Sequence, residues 1–230
     1  MAHMFEDCME LEEVDVSKFV TSKVSNMAFM FSLNKLLNKI DVSNFDTSKV
    51  KDMSYMFYMN NKVKELDVSN FKTENVKDFS FMFYGCNLIT DLNVTLFDTK
   101  NAEKMDSMFE GMHSLRHLDT EYFNTSNVKT MNSMFKECTS LRYLDVSNFR
   151  TKQVEDMSFM FDQLYEVREL DVSKFDTRNV KDMQSMFHLC SSLTSLNLIN
   201  FNTRLVTNMK SMFSQCKSLR NANVSSFETR

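Results

Sequence analysis

The sequence predicts an α/β repeat solenoid, with one short parallel strand and one short helical or 3-10 segment in each 26-residue coil. Three observations carry this reading. Steps of 26 from Leu66 land on Val14, Ile40, Leu92, Leu118, Leu144, Leu170, Leu196 and Ala222, and each opens a similar phrase. Phe recurs at 19, 45, 71, 97, 123, 149, 175, 201 and 227, with Thr two places later every time. A Met-Phe pair closes each unit, from Met30-Phe31 to Met212-Phe213, and no copy carries an insertion. A fixed period of this size marks one supersecondary unit stacked on itself, each copy touching only its neighbours.

Residues 141–167 serve as the reference coil. Leu144 and Val146 alternate with Tyr143, Asp145 and Ser147, which predicts a short strand with the two apolar residues facing inward. Ser147-Asn148 is turn chemistry, because both side chains can bond nearby backbone. Phe149 then points back in at the corner, and the Thr151 hydroxyl is expected to bond backbone or the Thr of the next coil. Val154, Met157, Met160 and Phe161 are spaced three, three and one, which predicts one apolar face of a helical turn or 3-10 segment. Strands about 4.8 Å apart would form a parallel sheet along one side, opposite the helical turns.

Met1-Ala2-His3 reads as vector-derived sequence, so the solenoid domain is taken as 4–230. It divides into a partial coil at 4–13, eight full coils at 14–221 and a partial coil at 222–230. Because both ends fall inside a unit, the chain is expected to be part of a longer protein or to be covered at its ends. Unpaired edges on the outer coils also predict end-to-end self-association.

Apolar residues make up 43% of the chain, enough for a continuous core and too many for disorder. A net charge of -4 argues against a nucleic-acid binder held by bulk positive charge. No stretch has the length of a membrane span, so membrane insertion is not expected. There is no glycine-rich phosphate loop, and no Ser, Cys or His stands with a base and an orienting group. No enzyme activity, cofactor or metal site is therefore expected.

Written out, the unit is L-D-V-S-x-F-x-T-x-x-V-x-x-M-x-x-M-F-x-x-C-x-x-L. It resembles the BspA-type leucine-rich repeat of bacterial surface proteins, in the 26-residue variant classed as a domain of unknown function. The resemblance spans residues 4–230, with Asn34, Asn60, Met112 and Leu164 departing from the Cys slot. It implies a leucine-rich-repeat-like solenoid that is exported, displayed at the cell surface, and engaged in adhesion or host-protein binding. The family pattern contains no catalytic residue to carry over.

Several further columns are candidate sites. The Met and Phe columns are core at this spacing. Cys8, Cys86, Cys138, Cys190 and Cys216 read as buried reduced thiols, although Cys190 and Cys216 are one coil apart and could approach for a disulfide. Asp15, Asp41, Asp67, Asn93, Asp119, Asp145, Asp171, Asn197 and Asn223 form one exposed column. It is expected to be neutralised by Lys64, Arg116, Arg142, Arg168 and Arg220, just upstream. Lys152, Arg178, Arg204 and Arg230 make a basic stripe that would suit an acidic partner, with Glu155, Asp156 and Asp182 close by.

The most informative irregularity is aromatic. The position before each core Met reads Phe29, Tyr55, Phe81, Ser107, Ser133, Phe159, Ser185 and Ser211. Tyr58 and Tyr84 follow three residues after Tyr55 and Phe81. Coils that carry Ser show that the core does not require these rings. Phe29, Tyr55, Tyr58, Phe81 and Tyr84 therefore predict a contiguous aromatic patch in the N-terminal half, of the kind that marks an interaction surface. Two functional expectations follow: a surface-protein module that binds another macromolecule, or a structural spacer in a longer surface protein.

Overall fold

A computed structural model describes residues 1–228 of the 230. The chain winds as a solenoid in which residues 26 apart lie in register: parallel bridges link Asn26, Asp52, Asp78, Lys104, Thr130, Asp156, Asp182 and Asn208 in succession. The core explains the register. Phe5, Phe31, Phe57, Phe83, Phe109, Phe135, Phe161, Phe187 and Phe213 form a file of nine stacked rings with centroids 5.6–6.0 Å apart. Phe45, Phe71, Phe123, Phe149 and Phe175 pack against this file at 6.3–6.4 Å. A slip of one residue would push an aromatic ring and a Met of every coil toward solvent, so the stacked columns fix the winding.

The expected helical segment is absent: no α-helix or 3-10 helix occurs among the described residues, which corrects the α/β class. The segment runs instead as consecutive turns with an alternating hydrogen-bond pattern. The N–H groups of Met30 and Ser32 reach back three residues, to the Met27 and Phe29 carbonyls at 3.2 Å. The N–H groups of Met27, Phe29, Phe31 and Leu33 leave the coil and donate to the Asp52, Ser54, Met56 and Tyr58 carbonyls at 2.8–3.0 Å. A helix needs every donor for its own i→i−4 ladder, and here half of them bind the next coil. The geometry requires left-handed backbone twice per coil, as at Phe29 (φ 58°) and Leu33 (φ 64°).

The strand expectation holds only in part. Leu144 and Val146 are buried and Tyr143 is exposed, as the alternation predicts. Among the described residues, however, a continuous ladder on this side forms only between β1 (Ser195–Asn197) and β2 (Asn221–Asn223), paired parallel with Leu196 opposite Ala222, beside one isolated bridge from Asp91 to His117. In the other coils the inter-coil bonds on this side are isolated, as from the Arg116 N–H to the Thr90 carbonyl at 3.2 Å, and the turn that follows is bonded locally. The Ser17 N–H bonds the Asp15 Oδ1 at 2.9 Å, and the Phe19 N–H bonds the Val16 carbonyl at 2.9 Å. The regular inter-coil ladder thus runs along the flank that the spacing had read as helical.

Buried Thr hydroxyls supply the third set of inter-coil ties. Thr125 Oγ1 donates to the Arg150 carbonyl at 3.1 Å and accepts the Arg150 N–H at 2.7 Å. The same two-way bond joins Thr21 to Asp46, Thr47 to Lys72, Thr151 to Asp176 and Thr177 to Asn202. Of the two options for this hydroxyl, the next coil's backbone is the partner. Residues 1–3, read as vector-derived, follow the same path: the His3 N–H bonds the Ala28 carbonyl at 3.0 Å.

Candidate functional site

The left-handed position before each core Met lies on the turn-built flank, where its aromatic occupants are partly exposed and Ser107, Ser133 and Ser185 are buried. Five of these and neighbouring side chains meet as one half-exposed strip. Phe29 stacks on Tyr55 at 4.3 Å and Tyr55 on Phe81 at 4.5 Å. Tyr58 stacks on Tyr84 at 4.8 Å and leans on Tyr55 at 5.3 Å, while Phe81 and Tyr84 are 5.8 Å apart. The structure therefore brings together all five residues singled out by the spacing. It adds His3, stacked on Phe29 at 4.7 Å, which extends the row by one coil. Partial burial within the strip is the main cause that raises the phenol pKa of Tyr55 and of Tyr84.

Beyond Tyr84 the same column turns ionic. Glu110, Lys136, Asp162 and His188 occupy successive coils, with Lys136 bonded to Glu110 at 2.8 Å and His188 Nδ1 2.8 Å from Asp162. Glu110 and Asp162 are buried although they bear carboxylates. Burial raises the Asp162 pKa, with His188 and Lys136 opposing it. Burial also works against the Lys136 charge, but Glu110, Glu137 and Asp162 outweigh it and hold the ammonium above its usual range. Lys136 Nζ further lies 5.9 Å from the Phe159 ring centre, the one aromatic in the C-terminal half of the Phe29 column. Sequence reasoning missed this network. Its signal is opposite charge at a step of 26, the relation that also pairs Lys77 with Glu103, Glu103 with Lys129 and Glu155 with Lys181.

The other candidate columns differ. The Asp15 column is not neutralised by Lys64, Arg116, Arg142, Arg168 or Arg220; none of these forms an ion pair among the described residues. Each side chain instead accepts its own backbone N–H two residues on, as Asp41 does from Ser43 at 3.1 Å, together with the Ser43 hydroxyl at 2.7 Å. These bonds hold the Asp15, Asp41, Asp67 and Asp171 carboxyls below the usual range. Local geometry gives each carboxylate its partners, so the column needs no counter-charge.

All five cysteines are free thiols, Cys190 and Cys216 included. Cys86, Cys138, Cys190 and Cys216 each donate to the carbonyl of the Phe one coil earlier, at 2.9–3.2 Å. Burial pushes the Cys86 and Cys138 thiols up to about 12. Among the described residues no group of three or more His, Cys, Asp or Glu side chains is arranged to hold a metal, and no helix is long and apolar enough to cross a membrane.

In the basic stripe, Arg178 bonds Asp176 at 2.8 Å and Arg204 approaches Glu228 at 3.7 Å. Of the nearby acids named from sequence, Glu155 is taken by Lys181 at 2.6 Å. Lys152 is exposed and has no carboxylate partner among the described residues. Arg230 lies outside the described residues.

Fold and strip together define a repeat solenoid with one patterned flank, aromatic at the N-terminal end and ionic beyond it. The chain belongs to the family described as Mycoplasma protein of unknown function, DUF285, whose profile matches residues 1–117, 86–170 and 144–230. No curated protein matches it. Among solved structures it is similar to a leucine-rich repeat protein from Bacteroides ovatus ATCC 8483, at 15% identity and a TM-score of 0.41 over 88% of this chain and 61% of that one. It is also similar to the protein of a TLR13–ssRNA13 complex, at 16% identity and a TM-score of 0.33 over 89% of this chain and 35% of that one. The chain thus spans less than two thirds of either structure's length.

Proposed function

We propose that this chain is a non-enzymatic binding module of a BspA-type bacterial surface protein, and that it engages a protein partner through the aromatic strip. One observation carries the reading: five rings sit together, half exposed, at positions where other coils carry Ser or, in the Tyr58 column, mostly charged residues. Successive coils stack these rings face to face, so the strip offers ring edges and the Tyr hydroxyls outward. That suits the mixed apolar and hydrogen-bonding surface of a protein better than a sugar ring, which needs an open aromatic face. Export and display at the cell surface belong to the same reading.

The test is binding of the immobilised chain to a panel of extracellular-matrix and serum proteins, with Tyr55→Ser/Phe81→Ser measured alongside. Loss of a captured partner in the double variant supports the strip. Equal capture by both proteins counts against it. A spacer would capture nothing in either form, and the continuous nine-ring core is what favours that second reading.

End-to-end stacking of this polypeptide is a separate proposal, supported by partly buried Phe5 and Phe213 in the outer coils. Sedimentation showing only monomer at high concentration would remove it.

A further inference from the structure

The basic stripe is more than a solvated edge at one place, where three columns change chemistry in the same spot. In the first column, Asp46, Asp98, Asn124, Asp176 and Asn202 each accept the N–H two residues on, at 3.0–3.3 Å. Arg150 occupies that position between Asn124 and Asp176, and the Lys152 N–H is left without an acceptor among the described residues. In the second column, the amides of Asn148 and Asn200 donate to the Glu121 and Ser173 carbonyls of the preceding coil, at 2.9 and 2.7 Å. Lys174 stands between them and makes no such bond. In the third, Ser126 gives way to Lys152.

The consequence is an open groove of about 380 Å³ lined by Ser147, Arg150, Lys152, Gln153, Lys174 and Asp176, among others. All three cations are exposed, and none is in an ion pair among the described residues. The one carboxylate lining the groove, Asp176, is already engaged by Arg178 Nε at 2.8 Å. In five other coils the chain places its own oxygen on this N–H; Val20 and Lys72 also lack it, but there the flanking columns carry Ser22 and Asn44, or Glu74 and Leu96, in place of cations. Here it has withdrawn the oxygen and gathered three positive charges around the gap.

The geometry points to a site for a tetrahedral oxyanion, the phosphate or sulfate ester group of a ligand, with one oxygen on the Lys152 N–H and the remaining charge shared by Arg150, Lys152 and Lys174. Charge-assisted bonds to an oxyanion are the strong ones, and Arg suits its geometry. The site is on a different edge of the coil from the aromatic strip and does not depend on it.

The experiment is an amide NMR titration of the isotope-labelled chain with inorganic phosphate and, separately, inorganic sulfate, at constant ionic strength set by chloride. A saturable shift of the Lys152 N–H is expected, weakened at least tenfold in Arg150→Asp/Lys174→Asn. Those substitutions restore residues that other coils already carry at these positions, so the variant should fold; its thermal unfolding is the check. Phosphate binding should strengthen as pH rises through the second ionisation of inorganic phosphate, close to neutrality and above the ~6 of a phosphate ester, while sulfate binding should not, which separates the two sources. No saturable shift, or an equal shift in the variant, overturns the site.

Discussion

The Cys86 thiol donates to the Phe57 carbonyl one coil earlier, at 3.2 Å, and Asn60 uses its side-chain amide in the same slot to reach the Phe31 carbonyl at 2.9 Å. A short donor in this slot caps that carbonyl, whereas Met112 and Leu164 fill the slot with bulk alone. Cys86→Asn should therefore cost less than about 1 kcal/mol, whereas Cys86→Ala leaves the carbonyl unpaired beside a small void and should cost about 1–3 kcal/mol. Urea unfolding of the two variants checks the difference. Cys86 and Cys138 should also resist alkylation in the folded chain, since burial pushes their thiols up to about 12 and only the thiolate reacts.

The Thr column makes a stronger demand, because in most coils the hydroxyl serves as donor and acceptor to one backbone unit. Thr125→Val keeps the shape but strands both the Arg150 N–H and its carbonyl, bonded at 2.7 and 3.1 Å. A loss of about 2–3 kcal/mol is expected. Hydrogen exchange should place the damage in the coils on either side, because contacts in a solenoid are nearest-neighbour.

How much of this was legible follows from what repetition can and cannot say. Columns such as Phe45, Phe71 and Phe97 declare their own burial, because a residue kept at every coil must meet its own copy in the next. The aromatic strip was legible for the opposite reason: Phe29, Tyr55 and Phe81 break a column that Ser satisfies elsewhere. The turn-built flank was not legible. Spacings of three, three and one at Val154, Met157, Met160 and Phe161 suit a helical turn equally well, and only the destination of alternate N–H groups separates the two. Left-handed backbone at Phe159 (φ 58°) leaves no mark in a sequence that places bulky residues there. The oxyanion groove hid in substitutions that are ordinary one at a time, and their meaning lies in Arg150 and Lys174 meeting across one coil step.

Left-handed backbone also predicts which glycine matters. Gly85 holds φ 68°, and a Cβ added there would lie 2.6 Å from Met59 Sδ. Gly85→Ala should cost about 1–2 kcal/mol from backbone strain, with Met59 shifting its flexible end to make room. Thermal unfolding measures it. An unchanged midpoint would mean that the turn relaxes at this point.

Acid should act through the Asp column, and the sign can be worked out. The hydroxyl and N–H of the Ser two residues on hold the Asp15, Asp41, Asp67 and Asp171 carboxyls below their unfolded value. A carboxyl depressed by folding contributes its stability fully above the unfolded pKa, near ~4, and loses it as pH falls through the lower folded pKa. Stability should therefore decline from about pH 5 downward. Asp106 and Asp162 run the other way, since burial raises both and protonation relieves them. Replacing Asp15, Asp41, Asp67 and Asp171 together with Asn isolates the first group. Asn93, Asn197 and Asn223 already make the same turn without titrating, donors included, at 3.2–3.3 Å. The fourfold variant should keep its fold and unfold with a flatter acid limb in denaturant titrations between about pH 5 and 3, whereas an unaltered limb would place acid sensitivity outside this column.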